Sequence, residues 1–203
     1  NDTDEDWQNT SLEDIQGMVF VDDSTFGEVL YVASADDNTI YAALIPQGEV
    51  VLTQEPKGMA TDGTLLYLLL EASPTDLIVT VAVDDDNDPP TIITKMDAPK
   101  GESGGITLLD HDNNGEDSLF VGVSREADCY NCPYGSVVSW IVELNPTSGE
   151  RISQWQVYGS GSLPPDIKPN ALTNDGQYLL IGMSETSYIP KATLIIEDPS
   201  GQH

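Results

Sequence analysis

The feature that most constrains this chain is a four-part unit of short apolar strands and Asp/Gly turns that keeps restarting. The first unit opens at Gly17-Met18-Val19-Phe20-Val21, turns at Asp22-Asp23 and runs through Val29-Leu30-Tyr31-Val32-Ala33-Ser34. It turns again at Asp36-Asp37-Asn38, continues over 39–44, turns at Gln47-Gly48 and closes at Glu49-Val50-Val51-Leu52. The second unit opens at Gly58-Met59-Ala60, turns at Asp62-Gly63, and has strand patterns over 65–70, 77–83 and 91–94. The third opens at Gly104-Gly105-Ile106, turns over 110–117, and continues over 118–123, 136–144 and 151–155, with an insertion before its third strand. The fourth opens at Asn170-Ala171-Leu172-Thr173, turns at Asn174-Asp175-Gly176, runs over 178–182 and 192–196, and then stops. Asp-Gly and related turns between apolar runs are hairpin signals because these residues tolerate positive φ.

Unit starts fall near 17, 58, 104 and 170. The first interval matches the ~40–45 residues of a propeller blade, and no segment sustains a helical period of ~3.6. The sequence therefore predicts an all-β, β-propeller-like domain with about four blades. A β-sandwich is the alternative, but it would not restart the same order at a glycine. The fourth unit is one strand short, which points to an incomplete or unusually closed ring, since propellers usually have ~4–8 blades. Residues 1–14, with Asp2, Asp4, Glu5, Asp6, Glu13 and Asp14, read as an acidic arm ahead of a repeat domain over 15–203.

Charge narrows the partners. The chain carries 35 acidic and 7 basic residues, a formal net charge of -28. Such a field repels nucleic acid and anionic membranes, whose binding needs clustered Lys and Arg, and attracts cations and basic surfaces. No apolar run approaches the ~20 residues of a membrane span. A first residue of Asn1 rather than Met fits a processed, exported protein. The expected location is extracellular, cell-surface or periplasmic.

Cys129 and Cys132 sit in Cys129-Tyr130-Asn131-Cys132, within the third unit's insertion. A zinc site usually needs four Cys or His ligands, and the only histidines are His111 and His203. The haem-attachment pattern needs His where Pro133 stands. An oxidising compartment favours a local disulfide; free thiols and redox chemistry remain open. Tyr130 and Tyr134, on the same insertion, are candidate contacts for a protein partner, because insertions in repeat proteins often carry function.

Several segments resemble known families. Glu28-Val29-Leu30-Tyr31-Val32-Ala33 with Asp37-Asn38-Thr39-Ile40 resembles the YVTN-type propeller repeat. Pro169-Asn170-Ala171-Leu172 with Asp175-Gly176 is similar to the Pro-Asn-Gly blade opening of the gluconolactonase/senescence-marker propellers, and Gln16-Gly17-Met18-Val19-Phe20 sits where that family has Glu-Gly-Pro-Val-Trp. In that family the Glu and the Asn of these motifs hold a metal at the central opening. The resemblance thus implies a central site at Gln16 and Asn170, with an amide in place of the carboxylate that a hard divalent cation prefers.

Asp110-His111-Asp112-Asn113-Asn114-Gly115-Glu116-Asp117 resembles the calcium loops of FG-GAP and EF-hand-like repeats, and Leu119-Phe120-Val121-Gly122 fits the FG-GAP strand that follows. The resemblance implies Ca2+ held by Asp110, Asp112, Asn114 and Asp117, since alternating oxygens converge on one cation and a glycine allows the sharp turn. Ser118 occupies the ninth position, where that family has Asp, and Asp117 falls one place early. An acidic β-turn is the other reading. Asp84-Asp85-Asp86-Asn87-Asp88 lacks the glycine and reads as a solvated loop.

No nucleophilic triad, phosphate loop or dinucleotide fingerprint is present. Trp140 and Trp155, at strand positions, read as core. The expected function is a non-catalytic, exported propeller that binds a protein partner or joins an assembly, with calcium as a stabiliser. The alternatives are a metal-dependent propeller hydrolase or lactonase, and a subunit or fragment of a larger surface or redox complex.

Overall fold

The computed structural model describes residues 14–23, 27–42, 49–82, 91–112, 114–126, 137–157, 167–185, 192–197 and 199. The arm expected over 1–14 lies outside these residues, apart from Asp14. Fifteen strands form four separate antiparallel sheets, each in simple up-and-down order, rather than the two sheets of a sandwich. The first sheet contains β1 (Ile15–Asp23), β2 (Gly27–Ser34), β3 (Thr39–Ala42) and β4 (Glu49–Val51). The second contains β5 (Pro56–Thr61), β6 (Leu65–Leu70), β7 (Leu77–Ala82) and β8 (Thr91–Asp97). The third contains β9 (Glu102–Leu109), β10 (Ser118–Glu126), β11 (Val137–Leu144) and β12 (Arg151–Gln156). The fourth contains β13 (Ile167–Asn174), β14 (Leu179–Glu185) and β15 (Ala192–Glu197), with no fourth strand among the described residues.

The hairpins close as the turn chemistry predicts. Asp62 Oδ1 accepts the backbone N–H of Thr64 and of Leu65, each at 2.8 Å. Asp175 Oδ1 does the same for Gln177 at 3.0 Å and Tyr178 at 2.8 Å. The glycine in each of these turns is left-handed, Gly63 with φ 93° and Gly176 with φ 92°. An Asx side chain that caps its own turn, followed by a residue free to take positive φ, fixes hairpin register without long-range help.

The sheets stack side by side through their inner strands: β1 packs on β5, β5 on β9 and β9 on β13. The glycines that open the units mark these junctions. A Cβ on Gly17 would lie 3.0 Å from the Met59 nitrogen, and one on Gly58 would lie 3.2 Å from Ile106 Cγ2. One on Gly104 would lie 1.9 Å from the Pro169 carbonyl oxygen. The inner strands of neighbouring blades come so close that a Cβ would be crowded at Gly17 and Gly58 and is excluded at Gly104. Ala171, which is exposed, stands in the fourth blade where Gly17, Gly58 and Gly105 stand in the first three.

Between the sheets lie three apolar clusters. Val21, Tyr31 and Ile40 of the first blade meet Met59, Leu66 and Leu68 of the second. Tyr67, Leu69 and Ile78 meet Ile106, Val121 and Val142. Phe120 and Ile141 meet Leu172, Leu179 and Ile181. Four blades joined by three cores form an open, propeller-like arc. Among the described residues no apolar cluster joins the fourth sheet to the first.

Candidate functional site

The inner strands share an irregularity that sets the geometry of the central opening. The β1–β2 register slips between Ile15 and Gly17, the β5–β6 register between Pro56 and Gly58, and the β13–β14 register between Pro169 and Ala171. The slip in the third blade falls around Gly122. A bulge re-aims the residue it inserts. The inserted residues are Gln16, Lys57 and Asn170, and all three line one cavity of about 410 Å³ between the inner strands. The two residues expected at a central site are thus brought to the same opening.

The donor set of this cavity is neutral or cationic. Besides Gln16, Lys57 and Asn170 it carries the hydroxyls of Thr61, Thr107 and Thr173 and the amide of Asn174, with no carboxylate, histidine or cysteine among the described lining. Gln16 Nε2 donates to Asp14 Oδ1 at 2.7 Å. Asn174 Nδ2 donates to Thr107 Oγ1 at 2.9 Å and to the Leu108 carbonyl at 2.7 Å. Lys57 Nζ lies 3.2 Å from Asp76 Oδ2. Buried Asp76 also accepts the backbone N–H of Ala72 and of Ser103, each at 3.2 Å, and so ties the second blade to the third. These groups suit hydrogen bonding to a neutral or anionic ligand, and a hard divalent cation finds no anionic oxygen among them.

In the acidic loop of the third blade, Asp110 Oδ1 accepts the Asn114 N–H at 3.0 Å and Oδ2 accepts the Gly115 N–H at 2.9 Å. Asp112 Oδ2 accepts Asn114 Nδ2 at 2.9 Å, and Asn114 Oδ1 accepts the Glu116 N–H at 2.6 Å. These oxygens are turned to the loop's own backbone and amide groups, as in linked Asx turns. Among the described residues no three of His, Cys, Asp and Glu are grouped to hold a metal. The Asp117 carboxyl is pushed above its ordinary range by burial and by the charges of Asp110 and Asp62. Asn113 lies outside the described residues, as do Cys129, Cys132, Tyr130 and Tyr134.

His111 leaves this loop. Its Nε2 lies 3.0 Å from Oε1 of Glu143, a buried carboxylate on β11 that also accepts Ser118 Oγ at 2.8 Å and Ser153 Oγ at 2.5 Å. Burial pushes the Glu143 carboxyl up. Hydrogen bonds from Ser153, Ser118 and His111, with the imidazole charge, outweigh this and hold it below its ordinary range. Ser118, the ninth-position residue of the loop, is therefore engaged by Glu143. The carboxylate sits in the middle and neither serine is bonded to the histidine, so the arrangement is not a serine–histidine relay. Glu143 is 32 residues from His111, so no local spacing in the sequence links the two. A lone Glu inside the apolar run Trp140-Ile141-Val142-Glu143-Leu144 was the available signal. Trp155 packs against the third cluster, edge-on to Phe120 at 6.1 Å, as expected for a core residue.

No helix among the described residues is long and apolar enough to cross a membrane. No protein-family model matches the chain, and no curated protein matches it in sequence. Solved structures do resemble it. Glutaminyl cyclase from Myxococcus xanthus superposes with a TM-score of 0.55 at 18% identity, over 84% of this chain and 64% of that one. Hydrazine synthase from Kuenenia stuttgartiensis superposes with a TM-score of 0.56 at 16% identity, over 97% of this chain and 49% of that one. The chain thus spans less than two thirds of either structure, and the likeness is one of fold: a β-propeller-type architecture.

Proposed function

We propose that this chain is a non-catalytic binding or assembly module of an exported propeller-type protein, and that it assembles through the outward face of its first blade. One observation carries the reading. Met59, Ile106 and Leu172 occupy equivalent positions on the second, third and fourth inner strands and plug into the preceding blade, with exposures of 7%, 1% and 8%. Met18 holds that position on the first blade and is 61% exposed. Phe20, on the same face, is 62% exposed. Register places Val32 beside Met18 and Leu30 beside Phe20; Val32 is buried and Leu30 half-buried, so the exposed apolar surface is that of β1. Exposed aromatic and thioether side chains at a position built for sheet-to-sheet packing favour another antiparallel sheet as the occupant. A second copy, first blade against first blade, is the simplest source of one.

Sedimentation over a range of protein concentration, at low and high salt, tests this. Two chains of net charge -28 repel, so self-association should strengthen as salt screens them, and Phe20→Asp should abolish it while the monomer stays folded. A monomer at every concentration and salt would overturn the reading.

A calcium ion at the Asp110 loop is a separate proposal, supported by the like charges of Asp110, Asp117 and Asp62, which favour a cation nearby. It predicts a rise in Tm with millimolar calcium, and an unchanged Tm would remove it. The lactonase alternative gains no support from the amide, hydroxyl and ammonium lining of the central opening.

A further inference from the structure

Three of the seven basic residues of this acidic chain, among them its only two arginines, line one cavity of about 490 Å³ on the third blade, and from this we propose a binding site for small organic anions. The cavity lies away from the central opening, where the third sheet faces the segment that leaves β8. Lys100 comes from that segment, Arg125 from the end of β10 and Arg151 from the start of β12. Eleven lining residues drawn at random from this sequence would hold fewer than one basic residue.

The three cations are available. In a chain with 35 carboxylates, two other lysines are paired, Lys57 with Asp76 and Lys168 with Glu102, while Lys95 forms no ion pair among the described residues. None of Lys100, Arg125 and Arg151 forms an ion pair among the described residues, although Asp97 lines the same cavity. Arg151 is oriented by a neutral partner, its Nη1 donating to Gln154 Oε1 at 2.9 Å. Arg125 lies over the Trp140 ring at 5.2 Å from the centroid, a contact that fixes the guanidinium and leaves its charge unneutralised. The Trp140 ring is part of the lining.

The chemistry selects the ligand class. Guanidinium groups bind planar or tetrahedral oxyanions through paired N–H donors. The remaining wall is apolar, from β10 and β11 side chains beside the indole. A carboxylate, sulfonate or phosphate head on an aromatic or aliphatic body fits both parts. The net charge of the chain repels such anions at long range, so binding depends on these short-range contacts.

The test uses the full chain with phenyl phosphate, benzenesulfonate and benzoate as probes and benzyl alcohol as the neutral control. The readout is the Trp140 indole N–H resonance, assigned through Trp140→Phe. Saturable shifts are expected for at least one anion and none for benzyl alcohol, and the three heads rank the oxyanion preferred. Arg125→Gln and Arg151→Gln should each weaken binding at least tenfold, and Lys95→Gln, outside the cavity, should leave it unchanged. Should an arginine variant fail to fold, the salt dependence of wild-type binding replaces it, with affinity expected to fall as salt rises. Equal binding of benzyl alcohol, no saturable shift with any anion, or affinity indifferent to salt and to both arginines would overturn the proposal.

Discussion

Met18 and Met59 are the same residue at the same place in successive blades, and their fates differ because of what stands before them. Met59 is packed by the first blade within an apolar cluster, while Met18 is exposed and no blade among the described residues packs on it. The comparison teaches that each blade is built with one face addressed to its predecessor, so the first blade carries an addressed face that the described residues leave open. The inner-strand glycines show the complementary requirement: Gly17, Gly58 and Gly105 stand where a following blade abuts, and Ala171 stands where, among the described residues, none does.

The largest effects should separate the two faces directly. Ile106→Ala should cost about 3 kcal/mol, and Met59→Ala about 2 kcal/mol, as buried truncations that leave cavities. Met18→Ala should stay within about 0.5 kcal/mol, as an exposed substitution. Urea unfolding of the dilute chain reads all three, and an equal cost at Met18 and Met59 would break the comparison. Next, Gly58→Ala should cost about 1–3 kcal/mol because its Cβ would crowd Ile106, while Ala171→Ser should be nearly silent.

A smaller effect concerns the polar centre of the third blade. Because the folded state holds the Glu143 carboxyl below its ordinary range, the carboxylate contributes stability that is present above that range and is lost as pH falls below it. Stability of wild type should therefore fall more steeply with acid than that of Glu143→Gln, and parallel acid limbs would deny Glu143 this role. The smallest effect has the opposite sign. Asp117 is raised, so its ionisation opposes folding as pH climbs through the carboxylate range. Asp117→Asn should raise Tm at pH 7 by about 1–2 °C, a small surface-charge gain, and the gain should vanish in acid. A lower Tm at pH 7 would point instead to a loop that needs this carboxylate.

Much of the fold was legible. The strand expected over 65–70 is β6, that over 77–83 is β7 within one residue, and that over 192–196 is β15 within one residue, because short continuous apolar runs and self-capped turns are local signals. The fourth unit, read as one strand short, has three strands among the described residues. Long-range pairings were not. Nothing local in Glu143 points to His111, and Lys100, Arg125 and Arg151 converge only because three chain segments meet on one side of the third sheet. Gln16 and Asn170 were brought together by resemblance alone. The physical reason they share an opening is a bulge at the same place in their strands, which the sequence does not mark.

The central claim is that the first blade presents an unfilled blade interface. Peptide-resolved oxidation of the methionines by dilute peroxide tests it most directly, because thioether oxidation follows exposure. In dilute solution Met18 should oxidise at least tenfold faster than Met59 and Met183, and it should become protected as the chain assembles at high concentration and salt. Equal rates for Met18 and Met59 in the dilute chain, or no protection of Met18 on assembly, would contradict the account.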